Sequence, residues 1–93
     1  MSAYAAGRRL EYRARDELIA QGYTVVRSAG SKGPIDLVAI GPAAGRRHVR
    51  LIQIKSGPPR PSDRQRLRTV LAPRGVRREI WQWQAGTWRI HPV

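Results

Sequence analysis

The chain has 93 residues, no cysteine, and 18 lysines and arginines against six acids, giving a net charge of +12. That length allows one domain (1–93) with a thin core, and the missing thiols exclude disulfide staples and thiolate zinc sites. No stretch reaches the ~18 uncharged apolar residues of a membrane span, and MSAYAAGRRL lacks the apolar run of a secretory leader. A soluble, cytoplasmic protein is expected (in the host-cell cytoplasm if a virus encodes it).

Sixteen of the cations are arginine. An excess of this size sets up a strong positive field, and a polyphosphate is its commonest partner. Codon bias accounts for arginine over lysine but not for the scarcity of acids. The charge is spread along the whole chain, which argues against a basic membrane-surface helix.

Leu10, Ala14 and Leu18 recur at helical spacing, widened by Ile19, and predict a helix from Ala3 to Gln21. Ser2 can cap its start, and Gly22 stands where a left-handed residue ends a helix. Arg8, Arg9, Arg13 and Arg15 give this helix a basic face able to touch phosphates. Tyr23–Ser28 reads as a short strand, Ala29–Gly33 as a turn, and Ile35–Ile40 as a second strand entered through Pro34. Gly41–Arg47 reads as a loop and His48–Lys55 as the third strand. The prolines of Ser56–Pro61 forbid regular structure there. Ser62 or Asp63 can cap a second helix reaching about Ala72, with Pro73 and Gly75 ending it. Val76–Gln84 and Thr87–His91 form a closing hairpin around Ala85-Gly86. The order α-β-β-β-α-β-β describes a mixed α/β domain.

Folding the second and third strands on a midpoint between Ala44 and Gly45 pairs Ile40 with Val49, Val38 with Leu51 and Asp36 with Gln53. Side chains alternate across a strand, so Asp36, Gln53 and Lys55 gather on one face at one end of the pair. Ile35, Leu37, Ala39, Ile52 and Ile54 take the other face, and both faces are largely apolar, as in a sheet covered on both sides. Polar groups there need compensation, which a divalent cation and a phosphate would supply. The plainer reading is a surface ion pair between Asp36 and Lys55, common and nearly neutral in energy. A slip of one residue would also exchange the faces.

The run Val26-Arg27-Ser28-Ala29-Gly30-Ser31-Lys32-Gly33-Pro34-Ile35-Asp36-Leu37-Val38-Ala39, followed by Gln53-Ile54-Lys55, resembles the core of archaeal-type Holliday junction resolvases, members of the PD-(D/E)xK nuclease superfamily. The likeness reaches back to Glu11 and, more weakly, forward to Gly86-Thr87-Trp88-Arg89-Ile90. A bare D-x(n)-[E/Q]-x-K pattern is common by chance; the helix glutamate, R-S-x-G-S, Asp and x-Lys in this order are far more specific.

The resemblance implies a restriction-endonuclease-like core with a mixed five-stranded sheet flanked by helices. It implies a homodimer that resolves four-way DNA junctions by Mg²⁺-dependent phosphodiester hydrolysis, with Mn²⁺ able to substitute. Glu11, Asp36, position 53 and the Ile54 carbonyl would hold the metal. Lys55 would position the attacking water and offset charge on the phosphate. Ser31 and Arg27 would hold a phosphate, with Arg8, Arg9 and Lys32 as further DNA contacts. Gln53 stands where the family usually has an acid, which removes one negative charge and makes Glu11 more necessary. The proline also lies two positions before Asp36 instead of directly before it. A related nuclease acting on flaps or duplex DNA, and a non-catalytic basic nucleic-acid-binding protein, are the alternatives. Taken alone, Glu11 is an ordinary helix-surface acid near Arg8 and Arg15.

The last hairpin pairs Trp83 with Trp88 and Trp81 with Ile90 on one face. A stripe this wide is more often core or subunit interface than a base-stacking surface. His48 and His91 lack metal-ligand spacing and read as structural or solvent-exposed.

Overall fold

The computed structural model describes residues 3–28, 33–43 and 46–93. Its elements run α1 (Ala3–Ala20), β1 (Thr24–Arg27), β2 (Leu37–Ala43), β3 (Arg46–Lys55), α2 (Pro61–Arg68), β4 (Val76–Gln84) and β5 (Thr87–Pro92). The predicted order holds, and the domain is α/β. The Ser2 cap and most of the Ala29–Gly33 turn lie outside the described residues. Gly22 ends α1 at φ +96°, the left-handed geometry that a glycine adopts without penalty.

One five-stranded sheet carries the fold in the order β1-β2-β3-β4-β5. The β1/β2, β2/β3 and β4/β5 pairs are antiparallel, and β3/β4 is parallel. A parallel pair requires a crossover, and α2 sits in it. The β2/β3 register runs from Leu37 opposite Ile52 through Val38–Leu51 and Ile40–Val49 to Ala43 opposite Arg46, as the sequence predicted.

The described part of the expected Gly41–Arg47 loop is strand. β2 continues to Ala43, and β3 starts at Arg46. Two features permit the extension. A Cβ on Gly41 would come within 2.6 Å of the Tyr23 ring, so glycine lets that ring lie against the strand. Pro42 falls beyond the residues paired with β1, where one flank of β2 is an edge and a missing N–H is tolerated.

α2 departs from expectation at both ends. It starts at Pro61 with Arg60 as its N-cap, so neither Ser62 nor Asp63 is the cap. Asp63 is the third helical residue, and its carboxylate accepts the Arg60 N–H at 2.8 Å. The helix stops at Arg68, short of Ala72. Thr69 Oγ1 donates to the Arg66 carbonyl at 2.7 Å, and the Arg78 guanidinium donates to the Val70 carbonyl. Both satisfy carbonyls that further turns would have used.

The main core lies between α1 and one face of the sheet. Ala14 and Leu18 pack with Leu37, Ala39, Ile52 and Trp81, all essentially closed to solvent. Burying each large side chain stabilises the fold by about 1.5–3 kcal/mol. On the other face α2 packs against β4, and Leu67 and Ile80 are fully buried. That cover is partial, because Val26 and Ile40 remain about half exposed toward the β1 edge. The sheet is thus covered on one face and only partly on the other.

The closing hairpin follows the predicted register, Trp83 opposite Trp88 and Trp81 opposite Ile90. Ala85 and Gly86 both take positive φ, the geometry a two-residue turn needs to match strand twist. Trp81 belongs to the core, and Trp88 packs on it at 5.6 Å between ring centroids. Trp83 meets Trp88 edge-on and lies beneath the Arg13 guanidinium.

Candidate active site

Asp36 is the last residue before β2, and its position follows from the β2/β3 register. Its N–H donates to the Ile52 carbonyl at 2.8 Å, which extends the ladder one step past Leu37. Its Oδ2 accepts the Ile54 N–H at 2.7 Å. This contact pins the carboxylate to the main chain of β3 between Gln53 and Lys55. The β2/β3 register thus sets the Asp36 backbone beside the Gln53–Lys55 end of β3, at this end of the hairpin. Ile54 takes part through its N–H.

The surroundings of Asp36 are unfavourable to its charge. Burial raises its pKa from 3.8 to about 6; the Glu11 carboxylate adds to the rise, while the Ile54 N–H, Arg27 and Lys55 oppose it. The field of Glu11 at Asp36 is the contribution of α1 to the site. Glu11 itself is half-buried, and its Oε1 accepts Arg27 Nε at 3.0 Å. Two residues assigned separate tasks from sequence, a cation ligand and a phosphate contact, are thus partners of one another.

Gln53 is the second unusual group. Its Oε1 is buried and accepts no hydrogen bond among the described residues. A buried carbonyl oxygen without a donor carries a desolvation penalty of about 1–3 kcal/mol, which a ligand can remove. Lys55 pairs with Asp63 on α2, with Nζ 2.9 Å from Oδ2. Among the described residues the ion pairs are Arg15–Asp16, Glu11–Arg27, Arg50–Glu79 and Lys55–Asp63, and Asp36 is in none of them.

The donor set fits a small hard cation. Asp36 and Glu11 offer carboxylate oxygens and Gln53 an unsatisfied amide oxygen, the ligand types Mg²⁺ takes. It is a lean set: the described residues hold no group of three or more His, Cys, Asp or Glu side chains able to bind a metal. Ser31 and Lys32 fall outside the described residues.

Arg8 and Arg9 are exposed on α1. Sequence reading passed over Tyr12 beside them. The guanidinium carbons of Arg8, Arg15 and Arg27 lie 5.6, 4.7 and 4.9 Å from its ring centroid. Arg8 also donates to the phenol oxygen, and this hydrogen bond, helped by the Arg8 charge, holds the Tyr12 pKa below the ordinary value. The ring therefore gathers cations next to Glu11. Asp63 was read only as a possible cap; the signal for more was an acid in a first turn, reached from Lys55 by a short proline-rich linker.

The histidines stay apart from this site. His91 hydrogen-bonds Gln82 Oε1 at 3.0 Å, and burial lowers its pKa, with Arg64 and Arg89 adding to the effect. No described helix is long and apolar enough to cross a membrane. The chain matches no protein-family model, no curated protein and no solved structure.

Proposed function

We propose that the chain is a Mg²⁺-dependent endodeoxyribonuclease with a restriction-endonuclease-like core, acting as a homodimer that resolves four-way DNA junctions. The observation that carries this reading is the desolvated Asp36 carboxylate, held on the Ile54 N–H at the end of β3 next to Lys55 and within the field of Glu11; the buried Gln53 amide oxygen, without a donor among the described residues, lies one residue before Ile54 on that strand. Packing alone gives no reason to collect these groups at a strand end. The net charge of +12 and the exposed arginines of α1 supply the attraction for a DNA backbone.

Asp36, Glu11 and Gln53 would hold the cation. When bound, Mg²⁺ would supply the positive charge that polarises the scissile phosphate and acidifies a nearby water. Arg27, released from Glu11, would turn its guanidinium to a phosphate, a geometry suited to bidentate contact. Lys55 would hold the attacking water and offset negative charge at the phosphate. Two such sites related by a dyad would make the paired nicks that a four-way junction requires.

The Glu11–Arg27 pair and the amide at position 53 favour a second reading, a basic nucleic-acid binder without catalysis. Incubation of a synthetic four-way junction with the protein and Mg²⁺ or Mn²⁺ separates the two. Nicking that is lost in Asp36→Asn and outcompetes nicking of linear duplex is the expected result. Tight binding without nicking at any cation concentration leaves the binder, and equal cutting of duplex or flaps points to a related nuclease.

A further inference from the structure

Lys55 is one of two lysines in the chain, the other being Lys32. Its ammonium meets Asp63 Oδ2 at 2.9 Å, and that same oxygen accepts the Arg60 N–H at 2.8 Å. The Asp63 side chain is 12% exposed and that of Lys55 24%, so the pair is largely withdrawn from water. Asp63 sits in the first turn of α2, a helix fastened to β4 where Leu67 is fully buried. The carboxylate is therefore fixed from the helix side, and the ammonium is fixed by the carboxylate.

A free lysine side chain is flexible, with many rotamers, and is drawn to any nearby anion. Asp36 is such an anion, since its carboxylate accepts the N–H of Ile54, the residue next to Lys55. An ammonium drawn onto Asp36 would compete with a divalent cation for the same oxygens.

We propose that Asp63 is a positioning residue of the site, holding the Lys55 ammonium at the rim so that the Asp36 carboxylate stays open to a divalent cation. The consequence for cleavage rests on the nuclease reading; the consequences for cation binding and for Lys55 do not. Asp63→Asn is the sharpest variant, because the amide oxygen can still accept the Arg60 N–H while the charge is gone.

Three measurements test it on the full chain. Mn²⁺ titration without DNA should show affinity falling about tenfold or more in Asp63→Asn, the usual scale for a group that orients a ligand set. In a Lys55→Met background the same substitution should leave Mn²⁺ affinity unchanged, since the competing ammonium is absent. Amine-selective methylation should be slower at Lys55 in the native parent than in the urea-unfolded chain, and Asp63→Asn should abolish that protection.

Unchanged Mn²⁺ affinity in a folded Asp63→Asn protein overturns the proposal. If that variant does not fold, the parent still decides: Lys55 methylated as fast in the native as in the unfolded protein overturns it equally. A parent that never cuts DNA, combined with the expected loss of Mn²⁺ affinity, sinks the nuclease reading and leaves the clamp standing.

Discussion

Two polar clusters occupy the same sheet and have opposite characters. At one, Arg50 and Glu79 are both more than 90% buried. Arg50 Nε and Nη2 donate to Glu79 Oε1 at 2.8 and 2.7 Å, and Trp81 Nε1 donates to the same oxygen at 3.1 Å. The guanidinium also lies 5.4 Å from the Tyr23 ring and 5.2 Å from that of Trp81. At the other cluster, among the described residues, Asp36 stands outside every ion pair and Gln53 Oε1 has no donor. The first cluster is electrically closed and belongs to the architecture. The second is open and asks for a ligand.

The largest effect expected from this contrast is on stability. Glu79→Ala would leave a buried guanidinium without its anion, a loss of about 3–5 kcal/mol. Urea unfolding should show it, while Mn²⁺ affinity of the folded fraction stays that of the parent. A mild loss would mean that water reaches Arg50 and that the first cluster is less closed than its hydrogen bonds suggest.

Asp36→Asn should behave in the reverse sense, removing cleavage without weakening the fold. The sign follows from the pKa. Asp36 titrates near 6 in the folded chain against 3.8 in the reference state, so the fold binds its proton more tightly. Its contribution to stability is fully present below pH 3.8 and is lost as pH rises through 6. At pH 7.5 without divalent cations, Asp36→Asn should be the more stable protein by about 1–2 kcal/mol. At pH 3.5 the two should unfold alike. Addition of Mg²⁺ should raise the thermal midpoint of the parent at pH 7.5 more than that of the variant.

The smallest effect expected is at Gln53. Gln53→Glu restores a negative charge to the ligand set and should tighten Mn²⁺ binding several-fold, with cleavage rising at low Mg²⁺. Tighter cation binding with continued silence on DNA would favour the non-catalytic reading.

The open cluster was legible in the sequence and the closed one was not. Asp36 stands at the entry to β2, and Gln53 and Lys55 lie on β3 across a short hairpin, so counting from its midpoint predicts their backbone register, and the Leu37–Ile52 pairing agrees. Arg50 and Glu79 lie on β3 and β4, which pair in parallel across the crossover containing α2. No local count fixes that register, so Ile52 opposite Glu79 could not be anticipated. The same limit hid the Lys55–Asp63 contact, which depends on how α2 docks. The extension of β2 through Gly41 and Pro42 was missed because both residues signal a break. Only the Tyr23 ring over Gly41 and the edge beside Pro42 explain why strand continues there.

Pro42 has a further consequence. Every open sheet flank offers unmet N–H and C=O groups on which another chain can template itself. Among the described residues, β1 pairs with β2 only from Leu37 to Ile40, so no strand pairs with Gly41–Ala43 on that flank. A proline at the middle of that flank removes a donor, and the chain's +12 charge repels a second copy arriving in solution. Polyanions screen that repulsion and crowd copies together, which leaves the proline as the guard against fibrous self-association under those conditions.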